Sequence, residues 1–120
     1  EGLTLRDTGL PVIIVTNYGC KTGAIRKTPL MRVSDGNCYV LIASQGGAPK
    51  HPQWYHNLRA APEVEIRDGI KVHSMIVREI AKGNERNRLW KIAVGAYPPY
   101  EEYQQKTDRM IPVFLAEPSQ

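Results

Sequence analysis

The chain has 120 residues, 42% hydrophobic and 23% charged, which excludes a disordered segment and allows one domain with a real core. A formal net charge of +4 suits an acidic ligand or a negatively charged surface, and no apolar run approaches the roughly 20 residues that span a bilayer. Two cysteines and three histidines without zinc spacing give no reason to expect a disulfide framework or a metal site.

Cys20 and Cys38 read as free thiols of a reducing compartment, so a cytoplasmic location is expected. No signal peptide is visible, and the start at Glu1 rather than methionine suggests a segment ahead of it. His51 and His56 stand five apart, wrong for one helical face.

In chain order, the breaker Gly9-Leu10-Pro11 precedes a β-branched run, and residues 11–16 read as a buried strand. A glycine-bracketed basic turn follows, then a second strand over 28–33. Asp35-Gly36-Asn37 is a hairpin turn, and 38–43 is a third strand, apolar enough to be central. These strands are expected to form an antiparallel meander. After a polar, glycine-rich stretch, a short helix is predicted over 52–60, with Trp54 and Leu58 packing it onto the sheet. Residues 63–67 and 70–80 alternate around Asp68-Gly69 as a second hairpin. Asn84 reads as the N-cap of a helix whose apolar face is Leu89, Trp90, Ile92 and Ala93. Pro98-Pro99 breaks it, residues 100–106 add helical turns, and 112–116 are a last strand. Hairpin-joined strands with late helices indicate an α+β fold, a small barrel of about six strands with helices on its rim.

Four groups of residues carry chemistry. Gly19-Cys20-Lys21-Thr22-Gly23-Ala24-Ile25-Arg26 offers backbone amides and, with Lys27, cationic donors to an anion such as phosphate. It lacks both the Walker spacing and the dinucleotide fingerprint, and by itself reads first as a solvated hairpin loop. Tyr97, Tyr100 and Tyr103, three apart, would share one helical face as an aromatic core stripe or as the mouth of a pocket. Ser44 ends a central strand before glycines that let a flat ligand approach the backbone, or simply ends it in a turn. No nucleophile elbow surrounds it. Lys50 and Arg59, flanking the short helix, would extend a basic rim. The tyrosines lie far along the chain from Lys21 and Arg26, which disfavours a nucleic-acid surface.

Thr16-Asn17-Tyr18-Gly19-Cys20-Lys21-Thr22-Gly23-Ala24-Ile25-Arg26-Lys27-Thr28-Pro29-Leu30 resembles the signature of the deazaflavin-dependent nitroreductase family. So does Ala43-Ser44 followed by Pro52-Gln53-Trp54-Tyr55-His56-Asn57-Leu58, and so does Tyr97-Pro98-Pro99-Tyr100-Glu101-Glu102-Tyr103 leading to Thr107-Asp108-Arg109-Met110-Ile111-Pro112-Val113. The resemblance implies a split β-barrel related to the FMN-binding pyridoxamine-phosphate oxidase fold, and an actinobacterial source. It implies reduced coenzyme F-420, a deazaflavin with a phosphate-linked glutamate tail, passing hydride to a quinone, an activated enone or a nitroaromatic or nitroimidazole acceptor. Carried over by position, it places the cofactor on Lys21, Thr22, Gly23, Arg26, Lys27, Pro29, Ser44, Gln45, Lys50, Trp54 and Asn57. Tyr97, Tyr100 and Tyr103 would line the acceptor pocket, with Tyr100 and Ser44 as the catalytic candidates. Gln45 stands where some members carry a second lysine, and Gln53 where a more apolar residue is usual. The assembly would be a monomer or homodimer, with peripheral membrane contact for a lipophilic quinone. An FMN enzyme of the same fold and a non-enzymatic cofactor- or lipid-binding barrel are the rival readings.

Overall fold

The computed structural model describes residues 3–4, 11–19, 21–44, 47 and 50–119. Eight strands are present among them: β1 (Leu3–Thr4), β2 (Pro11–Tyr18), β3 (Ile25–Met31), β4 (Ser34–Asp35), β5 (Cys38–Ile42), β6 (Glu63–Asp68), β7 (Lys71–Glu79) and β8 (Val113–Pro118). Three helices accompany them: α1 (Gln53–Ala60), α2 (Asn84–Ala96) and α3 (Pro99–Lys106). Every strand pairing is antiparallel, and β1 and β4 are two-residue pieces, so six strands make up most of the sheet.

The sheet runs β1-β2-β6-β7-β8-β5-β4, with β3 on β2. The expected meander does not form. β3 pairs with β2, whereas β5 pairs with β4 and with the distant β8, Tyr39 opposite Ala116 and Leu41 opposite Phe114. Val40 N–H donates to the carbonyl oxygen of Val33, in the link after β3, at 2.8 Å, which extends the β4–β5 hairpin by one pair. No ladder joins β3 to β5 among the described residues, and the barrel is split between them.

Composition explains the order. Tyr39, Leu41 and Ala43 of β5 and its end point into the barrel with Phe114 and Ala116 of β8. Val40, Ile42, Val113 and Leu115 point the other way, against Leu89, Ala93 and Tyr100 of the helices. Strands covered on both faces need continuous apolar runs, and these two have them. β6 has the alternation of a one-sided strand, with Val64 and Ile66 buried and Glu63, Glu65 and Arg67 exposed. α1 lies on the barrel through Leu58 and Tyr55, and the Trp54 ring sits 6.0 Å from that of Phe114.

Two local expectations shift. Gly83 takes the N-cap position of α2 and Asn84 is its first residue, with no side-chain cap bond. Tyr97 is the C-cap of α2 rather than part of the following helix, because Pro98 ends that run and Pro99 begins α3. Cys38 is free; Cys20 lies outside the described residues. No helix among the described residues is long and apolar enough to cross a membrane.

Candidate active site

The turn between β2 and β3 is closed by its own backbone. Gly19 N–H donates to Ala24 O and Gly23 N–H to Gly19 O, both at 2.8 Å. Thr22 Oγ1 accepts from Ala24 N–H at 3.2 Å, and Gly23 has a φ of 72°, which favours glycine. These three amides are therefore engaged within the turn itself. The cationic groups of the turn are side chains. Lys21 and Arg26 are exposed, and neither has an ion-pair partner among the described residues. With Gly19, Thr22, Gln53 and Asn57 they line a cavity of about 190 Å³.

Beneath it runs a line of side-chain amides that joins the turn to α1. Gln53 Nε2 donates to Asn57 Oδ1, and Asn57 Nδ2 to Asn17 Oδ1, each at 3.3 Å. Asn17 Nδ2 in turn donates to Thr28 Oγ1 and Val15 O at 3.2 Å. Asn17 is fully buried and Asn57 nearly so, and a buried amide left without partners would cost about 1–3 kcal/mol. Sequence reasoning singled out Asn57 but not Asn17. The available signal was a polar residue in the inward phase of β2, after Ile13 and Val15.

A second cavity, of about 330 Å³, occupies the split between β3 and β5. Pro29, Leu30 and Met31 form one side, Ile42 and Ser44 another, Pro52 and Trp54 a third, and Tyr97, Tyr100 and Tyr103 close it. It adjoins the first cavity across the first turn of α1, since Gln53 and Asn57 line one and Pro52 and Trp54 the other. Tyr97 and Tyr100 pack edge to face at 5.0 Å, and Tyr97 Oη is 3.3 Å from Tyr103 Oη. That bond, with burial, pushes the Tyr103 pKa up to about 12. Burial, with the neighbouring phenols, raises Tyr100 further above its ordinary value. Tyr100 is therefore a neutral phenol at physiological pH. Its hydroxyl has no hydrogen-bond partner among the described residues and is not sealed from the cavity.

The remaining expected site residues are spread out. Lys27 lines neither cavity: it pairs with Thr16, and strand alternation turns it to the face opposite Arg26. Gly23 shapes the turn without lining the cavity, and Lys50 is exposed and lines neither. Arg59 leaves the basic rim to pair with Glu79 at 3.6 Å and to lie over the Tyr55 ring. Gln45 lies outside the described residues. Two residues went unassigned. Gly47, with a φ of +82°, sits where an added Cβ would fall 2.7 Å from the Tyr103 carbonyl oxygen. Arg109 reaches the end of β5 and His51.

The chemistry of this donor set fits an anionic, flat cofactor: exposed cations at one end and an aromatic, apolar hollow at the other. A sequence model of the F-420H(2)-dependent quinone reductases matches residues 1–118. The chain belongs to this family. It is 38% identical over 107 residues to an F-420H(2)-dependent quinone reductase of Mycobacterium tuberculosis, covering 88% of this chain and 72% of that one. The solved structure of an F-420-H(2) dependent reductase matches with a TM-score of 0.84 at 49% identity, over 98% of this chain and 100% of that one. A second solved structure, of a domain-swapped dimer, gives a TM-score of 0.85 at 50% identity over 97% of this chain and 88% of that one. The heme-storage protein HutZ of Vibrio cholerae, at 12% identity and a TM-score of 0.67 over 91% and 82%, shares the fold alone. As a member of the F-420H(2)-dependent quinone reductase family the chain is an oxidoreductase, and its cofactor is reduced coenzyme F-420.

Proposed function

We propose that the two adjoining cavities divide the reaction, the basic one holding the phosphate and acidic tail of the cofactor and the tyrosine-lined one holding a quinone. The observation that carries this is that Lys21 and Arg26, without an ion-pair partner among the described residues, line a cavity with Gln53 and Asn57, while Pro52 and Trp54 beside them line the aromatic hollow. Lys21 and Arg26 supply charge-assisted contacts to phosphate or carboxylate. Thr22, Gln53 and Asn57 add neutral donors around them, and Lys27 and Lys50 contribute at most to the long-range field. Pro29, Ser44 and Trp54 border the ring on the side of the split.

When bound, reduced F-420 would supply the hydride. The quinone takes up that hydride and one proton to become a hydroquinone, so the protein must orient the acceptor and keep a proton at hand. Orientation alone is worth roughly 7–11 kcal/mol of barrier. Tyr100, a phenol held neutral by burial, keeps a proton at its hydroxyl oxygen within the cavity. Tyr97 and Tyr103, tied to each other, form the rest of that wall. Activated enones and nitroaromatics present a comparable polarised acceptor and are the other substrates to assay.

The two roles separate in one experiment. Alanine at Lys21 and Arg26 raises the dissociation constant for oxidised F-420 more than it changes kcat, and Tyr100→Phe lowers kcat more than it changes that constant. The reverse pattern contradicts the division. Assembly as a homodimer, and peripheral contact with a quinone-bearing membrane, belong to the same proposal. Sedimentation and vesicle binding test them.

A further inference from the structure

The Arg109 guanidinium fastens the walls of the tyrosine cavity to one another. Nη1 donates to the Ala43 carbonyl oxygen at 3.1 Å and Nη2 to that of Ser44 at 2.7 Å. Nη1 also lies 2.9 Å from His51 Nδ1. A guanidinium only donates, so Nδ1 accepts and the proton of a neutral His51 sits on Nε2. The Arg109 backbone is held in turn by α3. Gln104 Nε2 donates to Arg109 O at 2.8 Å, and Gln104 Oε1 accepts from Ile111 N–H at 2.9 Å. One residue thus joins the end of β5, the approach to α1 and, through Gln104, the helix of Tyr100 and Tyr103. Each of these elements contributes to the cavity lining: Ile42 and Ser44, Pro52 and Trp54, Tyr100 and Tyr103.

We propose that Arg109 is a positioning residue for acceptor reduction, setting the width of the tyrosine cavity by holding the Ser44 carbonyl and His51 to the loop after α3. The inference rests on the assignment of that cavity to the acceptor. Its physical basis is the fork. Two carbonyl groups with their lone pairs toward one point repel each other, and a planar guanidinium satisfies both while a lysine ammonium is a single point charge. A displacement of 1 Å in a reacting geometry can cost roughly a hundredfold in rate, so a loosened clamp is read in turnover before it is read in folding.

His51 reports on the clamp. Arg109 faces it from the loop after α3, and Tyr55 and His56 face it from α1, at ring distances of 4.2 and 6.3 Å. Glu79 and Arg59 are the further charges around it. Burial first, then the Arg109 charge, pushes its pKa below the ordinary imidazole value. Removing the guanidinium therefore raises the His51 pKa.

The test uses Arg109→Gln and Arg109→Lys in the full chain, with reduced F-420 and a water-soluble naphthoquinone. The expected result for Arg109→Gln is a fall in kcat of at least tenfold, with the F-420 dissociation constant changed less than threefold. The His51 pKa, followed by NMR, moves upward in the same variant. Arg109→Lys, which keeps the charge and one carbonyl contact, recovers part of kcat and serves where Arg109→Gln does not fold. A folded variant with kcat and KM for the quinone within twofold of the parent overturns the inference, as does a His51 pKa that does not move. Failure of the acceptor-cavity assignment looks different: Tyr100→Phe would then leave turnover unchanged.

Discussion

Asn57 Nδ2 donates to Asn17 Oδ1 at 3.3 Å, and this single bond joins the helix that borders both cavities to the strand that ends in the basic turn. Neither side chain is exposed enough for water to replace the other. Asn17→Leu removes the acceptor that Asn57 Nδ2 uses and the bonds of the Asn17 amide to Thr28 Oγ1 and Val15 O. The expected loss is about 1–3 kcal/mol of stability, read as a lower urea midpoint, with weaker F-420 binding because Asn57 lines the cation cavity.

The phenol of Tyr100 is held protonated by burial, with Tyr97 and Tyr103 as reinforcing neighbours. An ordinary tyrosine ionises near pH 10. The kcat of the parent enzyme should therefore show no alkaline limb from Tyr100 across that region. Opening the wall with Tyr97→Ala exposes the phenol and should bring such a limb down toward the ordinary range. A pH–rate profile of both proteins checks this.

Gly47 meets the backbone of Tyr103 where a Cβ would overlap the carbonyl oxygen, in a backbone conformation that L side chains rarely adopt. Gly47→Ala should cost upwards of about 1 kcal/mol. The overlap is with α3, which carries Tyr100 and Tyr103, so a shift of that helix would raise quinone KM as well. Thermal unfolding and steady-state kinetics read the two effects.

At the other end of the barrel, Asp68 accepts from Tyr39 Oη at 2.6 Å and from Arg32 Nε at 2.9 Å. Burial is the largest influence and would raise the carboxyl, but these two hydrogen bonds together with the charges of Arg32 and His73 outweigh it and hold the pKa below the usual range. A depressed folded-state pKa contributes stability above the unfolded carboxylate value and loses it as pH falls through the folded value. Asp68→Asn should be less stable than the parent at pH 7, and the gap should narrow on acidification below about pH 4. Urea midpoints at both pH values measure it.

Local features were legible in the sequence where local chemistry decides them. The β-branched run before Gly19, the turn at Asp35-Gly36-Asn37, α1 and the Glu63–Asp68 hairpin strand all follow from short-range patterns. The pairing of β5 with β8 does not, since Tyr39 and Ala116 meet only through long-range packing. For the same reason the split between β3 and β5, and the cavity in it, could not be placed from spacing alone. Lys27 beside Arg26 looked equivalent until strand alternation separated their faces. Arg109 has the composition of any surface arginine, and only the fold brings it to Ala43 and Ser44.

The central claim is that Lys21 and Arg26 grip the anionic end of the cofactor. The direct measurement compares oxidised F-420 with the same chromophore lacking phosphate and glutamate tail, titrated into the parent and the Lys21→Ala/Arg26→Ala variant. The account predicts that the parent strongly prefers the complete cofactor and that the variant loses this preference while binding the bare chromophore about as before. Each lost charge-assisted contact is worth about 1.5–3 kcal/mol, so the preference should fall by roughly a hundredfold or more. A variant that keeps the full preference for the tailed cofactor would contradict it.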